Sequence, residues 1–194
     1  ILNRMEDSIN SNFTLGLITS ILCKVDPDSK FIPQYCERLL DNAIRQDGKI
    51  KYWCSKCKES YIWKIEPSIV HTACAIIALY DSQEKGIISL DIQNELEDTR
   101  EILMDRSLWK NTQEAISIQI GSKEDSLIVH YYTIAWVLRA LLQMDNFVDI
   151  SIIHEVVARV LKDYKDGYWN YEGNYYIWTI YDALVSLEAY FLRK

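Results

Sequence analysis

Apolar and polar positions along the chain alternate at helical rather than strand period almost throughout. From Asn12 to Val25 the residues Phe13, Leu15, Leu17, Ile18, Ile21, Leu22 and Val25 predict a helix buried over most of its circumference. Asp26-Pro27-Asp28-Ser29 ends it, because the residue before a proline avoids the helical region. The segment Ile32 to Arg45 is amphipathic: Tyr35, Cys36, Leu39, Leu40, Ala43 and Ile44 face one way, and Gln34, Glu37, Arg38, Asp41 and Asn42 largely the other. It reads as an outer helix. A long aromatic-rich connection then leads to Pro67, and Ser68 to Tyr80 is apolar nearly all round, as expected of an inner helix covered by neighbours.

The same order of parts recurs. An amphipathic Asp91 to Met104 precedes a Trp109 loop and the apolar Ser126 to Met144. An amphipathic Ile152 to Tyr164 precedes Asp166-Gly167-Tyr168-Trp169 and the apolar Tyr175 to Leu192. Thr72, Thr133 and Thr179 mark equivalent places on the inner helices, about 60 and about 46 residues apart, within the range of two-helix repeats. The expectation is an all-α domain over residues 1–194, in units of about 1–30 (truncated), 31–85, 90–146 and 150–194. The antiparallel helical pairs either curl into a partial α/α toroid or stack as an open α-solenoid.

The loop-to-helix junctions favour the toroid. Gln46-Asp47-Gly48 followed by Trp53, and Asp166-Gly167-Tyr168-Trp169, each precede an inner helix with a small-residue core: His71-Thr72-Ala73-Cys74-Ala75 with Ala78-Leu79, and Thr179 with Ala183-Leu184. This resembles the repeat of the α/α-toroid superfamily of terpenoid cyclases and protein prenyltransferases, in which a Gln-x-x-Asp-Gly-x-Trp loop leads into a helix with a Thr-Ala-x-Ala pattern. The junction residues have structural tasks: Gly permits the chain reversal, Asp accepts hydrogen bonds from the turn, and Trp plugs the gap between helices.

The catalytic signatures that the resemblance implies are missing. Class II cyclases carry an Asp-x-Asp-Asp acid directly before the Thr-Ala core, where this chain has Ser68-Ile69-Val70-His71. Glu124-Asp125 lies at the wrong offset and reads as a helix-start pair. The Asp, Cys and His zinc set of prenyltransferases has no counterpart, since the third unit lacks Cys and has no His on its inner helix.

One metal-like constellation stands. Cys54-x2-Cys57, then His71-x2-Cys74, gives four donors of the kind that close a tetrahedral structural zinc site. The competing readings are an ordinary CxxC pair and, for Cys74 and His71, plain core positions. A toroid would also gather the starts of its inner helices around one opening. Trp63, Tyr131, Tyr132, Trp136, Tyr176 and Trp178 are the candidate ligand-binding aromatics there, with core packing as the alternative for each.

Composition sharpens this picture. There are 13 Tyr and 6 Trp against 4 Phe, a surplus of amphipathic rings that concentrates in the loops before the inner helices and in their first turns. The net charge of -7 disfavours nucleic acid as a partner. No run reaches the ~20 apolar residues of a membrane span. Five cysteines, three of them inside apolar helical patterns, fit free thiols in the cytoplasm. The chain opens on Ile1 with its first Met at Met5, as expected of a domain from a longer polypeptide. The function expected is a noncatalytic module that binds a protein partner or a hydrophobic ligand. The alternative is a divergent cyclase or prenyl-processing fragment.

Overall fold

The computed structural model describes residues 11–54, 67–89, 92–109, 113–115, 128–144, 148–169 and 177–193. The described chain is mostly helical, with short two-stranded hairpins between helices. None of its described helices is long and apolar enough to cross a membrane. Two compact units, Ile1–Asp105 and Arg106–Lys194, divide the chain.

In the first unit, α1 (Asn12–Val25) spans the segment its periodicity predicts. It packs chiefly against α3 (Ile69–Glu84), which is buried over almost its whole circumference, and also against α2 (Phe31–Asn42), whose inner face carries Ile32, Tyr35, Cys36 and Leu39. Expected to run to Arg45, α2 instead ends at Asn42, and the chain enters the hairpin β1 (Ile44–Gln46) and β2 (Lys49–Tyr52). Its turn, Asp47-Gly48, has positive φ at both residues, 51° and 84°, the type I′ geometry whose twist matches that of paired strands. The amphipathic segment from Asp91 is broken at Leu96 into α4 (Ile92–Glu95) and α5 (Glu97–Met104). Thr99 of α5 donates its hydroxyl to Ile50 O of β2 at 2.7 Å, and the pairs Arg45–Glu95 and Lys49–Glu97 flank that contact on the surface.

Close approach of α1 and α3 depends on Gly16. A Cβ built there would lie 3.0 Å from the carbonyl oxygen of Cys74, 3.1 Å from its carbonyl carbon and 3.1 Å from its Sγ. Two of these three obstacles are backbone, so a rotamer change cannot relieve them. Gly16→Ala gains about 1 kcal/mol of helix propensity but forces the helices apart at about 1–3 kcal/mol. We expect a net loss of about 1 kcal/mol in urea unfolding, and a more stable variant would contradict the tight crossing.

In the second unit a 3₁₀ turn (Arg106–Leu108) leads to the pair β3 (Gln113–Ala115) and β4 (Ile128–His130), followed by α6 (Thr133–Gln143). The helix expected from Ser126 therefore begins only at Thr133: Ile128 to His130 pair as a strand, as β-branched residues favour. After it come α7 (Ile150–Lys162), capped by the Asp149 carboxylate on Ser151 N at 2.8 Å, and the hairpin β5 (Tyr164–Lys165) and β6 (Tyr168–Trp169). Asp166 and Gly167 form the second positive-φ turn. Last is α8 (Ile177–Leu192), which packs on α6 through Thr179, Asp182, Ala183, Ser186 and Leu187.

The two tryptophans that follow the Asp-Gly turns make the same bond. Trp53 Nε1 donates to Leu39 O and Trp169 Nε1 to Val160 O, both at 2.7 Å, each acceptor lying in the last turn of the preceding helix. Both indoles are buried. The orphan carbonyls of a helix end are thus satisfied by the ring that fills the space beside it.

Candidate functional site

The starts of α1 and α3 hold two of the candidate metal ligands, His71 and Cys74, one turn apart on α3, with the backbone of a third, Cys54, at the same junction. His71, fully buried, lies between two serine hydroxyls: Ser68 Oγ is 2.7 Å from Nδ1 and Ser11 Oγ is 3.3 Å from Nε2. Ser68 is also the N-cap of α3, accepting from His71 N. The ring of Phe13 meets the imidazole edge-on at 5.9 Å. Cys74, one turn along α3, donates its thiol to Phe13 O at 3.4 Å. A chain of amides completes the junction: Asn42 Nδ2 donates to Asn12 Oδ1, and Asn12 Nδ2 donates to Cys54 O, each at 2.9 Å.

Of the four metal candidates, Cys57 lies outside the described residues. Among the described residues no group of three His, Cys, Asp or Glu side chains could hold a metal ion. Burial raises the Cys54 thiol above its ordinary pKa, which opposes the thiolate that a reactive CxxC cysteine needs. Cys23, Cys36, Cys54 and Cys74 are all free thiols.

Among the candidate aromatics, Trp63 and Tyr176 lie outside the described residues. Tyr132 and Trp136 are core side chains, and Tyr131 is half-buried. The Tyr132 hydroxyl sits 3.2 Å from Asp163 Oδ2 and 3.4 Å from Val160 O. Burial, then the Asp163 carboxylate, raises its pKa. Trp136 Nε1 donates to Asp182 Oδ2 at 3.0 Å while the Arg139 guanidinium stacks over its ring at 4.5 Å.

Asp182 is a functional candidate that the sequence reading passed over. It is buried on the helix face that carries Thr179, Ala183, Ser186 and Leu187, and its carboxyl is pushed up to about 6 by desolvation, against the lowering effects of Trp136, of Arg139 and of a hydrogen bond with the Tyr132 backbone. Asp81 on α3 is likewise buried, with Ser20 donating to it and Lys24 Nζ at 3.8 Å. The available signal was an acid within a mostly apolar helical pattern, Asp81 on α3 and Asp182 on α8.

Trp178 differs from the other described candidates: it is 63% exposed, on a face of α8 that also shows Ile177, Tyr181 and Leu184, all more than half exposed. Beside this face an open groove of about 300 Å³ is lined by Leu161, Tyr164, Gly167, Trp169, Ile180 and Leu184. Large apolar side chains so concentrated on one helix are the usual mark of a surface that another molecule covers. Chemically, the polar junctions are satisfied internally, whereas the α8 face offers apolar and aromatic area. Comparison with protein-family models, curated proteins and solved structures gives no match for this chain.

Proposed function

We propose that the chain is a noncatalytic helical-repeat module, a partial α/α toroid, that binds a partner through the aromatic, apolar face of α8. The observation carrying this reading is the exposure of Ile177, Trp178, Tyr181 and Leu184 together on one helix. The shared indole-to-carbonyl bonds of Trp53 and Trp169 support the repeat. Tyr132 and Trp136, two of the candidate ligand-binding aromatics, are engaged by neighbouring carboxylates within the protein, which supports placing the binding face on α8. The free thiols suit a reducing cytoplasmic setting.

A second reading, a divergent prenyl-processing enzyme, is favoured by one observation: a carboxyl that keeps its proton to about pH 6 beside an indole. Incubation with prenyl diphosphates separates the two. The module reading expects no diphosphate release above the buffer rate. Release that disappears in Asp182→Asn would overturn it in favour of the enzyme.

A further inference from the structure

The exposed face of α8 has a spacing of its own. Ile177, Tyr181, Leu184, Glu188 and Phe191 follow one another at intervals of four, three, four and three residues, the heptad rhythm of a helix that packs along another helix. All five are exposed, at 74%, 57% and 54% for Ile177, Tyr181 and Leu184. Trp178 and Leu192 extend the apolar area at either end. Of the stripe only Leu184 borders the open groove; its other members lie along the exposed helix face, outside the enclosed kind of site that takes up a small molecule.

We infer that α8 docks against α8 of a second copy of this chain, antiparallel, about a two-fold axis passing near Leu184. This rests on the reading of α8 as the binding face and names its partner. The stripe is self-complementary under that operation. Counted from Leu184, Ile177 lies seven residues before and Phe191 seven after, so each Ile177 meets the other copy's Phe191 and Leu184 meets its own counterpart. Tyr181 lies three before and Glu188 four after. They come level to within one residue's rise, about 1.5 Å, so the tyrosine hydroxyl can donate to the carboxylate of the other copy.

The only charge in the stripe thereby gains a donor. A parallel pairing would instead set Glu188 against Glu188, whereas the antiparallel one separates these carboxylates by about 12 Å along the axis. The size is also right: the six exposed apolar side chains present on the order of 800 Å², what each partner contributes to a standard stable interface.

Sedimentation equilibrium of the full chain at micromolar concentration is expected to give twice the 22.8 kDa mass. Leu184→Glu brings two carboxylates to the axis and is expected to weaken association at least a hundredfold, with helical circular dichroism unchanged because the position is exposed. Leu184→Cys treated with a short bismaleimide should yield a covalent dimer that the parent, with only its native cysteines, does not form. A monomeric parent, a dimer indifferent to Leu184→Glu, or failure to crosslink through position 184 overturns the inference. A monomer without turnover of prenyl diphosphates removes this partner but leaves the binding-module reading. Turnover abolished by Asp182→Asn removes that reading whatever the mass.

Discussion

Replacing Trp53 with alanine lowers stability by about 3–5 kcal/mol, the range for deleting a large buried aromatic side chain. The indole is fully buried, and its N–H satisfies Leu39 O at the end of α2. Its backbone is part of the same joint: Trp53 N donates to Thr72 Oγ1 at 3.0 Å, and Trp53 O accepts from Ser68 N at 3.1 Å. Removing the ring therefore empties the space between the hairpin, α2 and α3 and leaves a buried carbonyl without its donor. Trp53→Phe keeps most of the apolar area and loses the bond, so about 1–3 kcal/mol is expected for it. Trp178→Ala, at a position 63% exposed in the single chain, should stay within about 0.5 kcal/mol when unfolding is followed at a concentration low enough to keep the chain monomeric. Urea unfolding of the three variants decides the matter. Equal losses for Trp53→Ala and Trp178→Ala would contradict the assignment of one indole to the core and the other to the binding face.

Asp182 makes stability depend on pH in the direction opposite to a salt-bridged carboxylate. In the folded chain it keeps its proton to about pH 6, against an ordinary value of 3.8. Between those values the folded state binds more protons than the unfolded one, so stability falls as pH rises. The penalty is absent below about pH 4, where both states are protonated, and complete above about pH 6. A shift of this size corresponds to about 2–3 kcal/mol. Glu97 and Glu155, whose pKa values are lowered by the partners Lys49 and Arg106, act in the opposite sense, losing their contribution as pH falls. Comparison with Asp182→Asn cancels those background terms. The parent should lose about 2–3 kcal/mol relative to the variant between pH 4 and pH 7, over a constant offset of about 1 kcal/mol for the hydrogen bond the amide cannot make. Parallel pH profiles would show that the carboxyl is not desolvated as described.

What could be read from the chain beforehand followed from periodicity. The bounds of α1 and the near-complete burial of α3 come from apolar residues spaced for a helix and a proline that stops it. The hairpins were legible in principle, because Asp-Gly between Ile44-Arg45-Gln46 and Lys49-Ile50-Lys51 is a type I′ turn signal. They were lost because Ala43, Ile44 and Arg45 also continue the amphipathic pattern of α2, and three strand residues cannot outweigh a helical window. Ile128 to His130 fell to the same competition. The site was less legible. An aromatic at helical spacing looks alike whether it packs inward or outward, so Trp136 and Trp178 were indistinguishable until α6 and α8 were placed. Asp182 was hidden by its surroundings: nothing in Thr179-Ile180-Tyr181-Asp182-Ala183 reveals that Trp136 waits across the helix pair.

The layer formed by α1, α2 and α3 contains a small polar knot whose consequence is kinetic. The Ser82 hydroxyl lies 3.3 Å from Cys23 Sγ and 3.2 Å from Cys36 Sγ, and both thiols are fully shielded from water. Burial keeps them protonated, with pKa values raised above that of a free thiol, so neither is nucleophilic where it sits. Any reagent must wait for the three helices to part. The rate at which Cys23 and Cys36 become modified is therefore a clock for the opening of this layer, with half-buried Cys54 as the faster internal reference on the same chain.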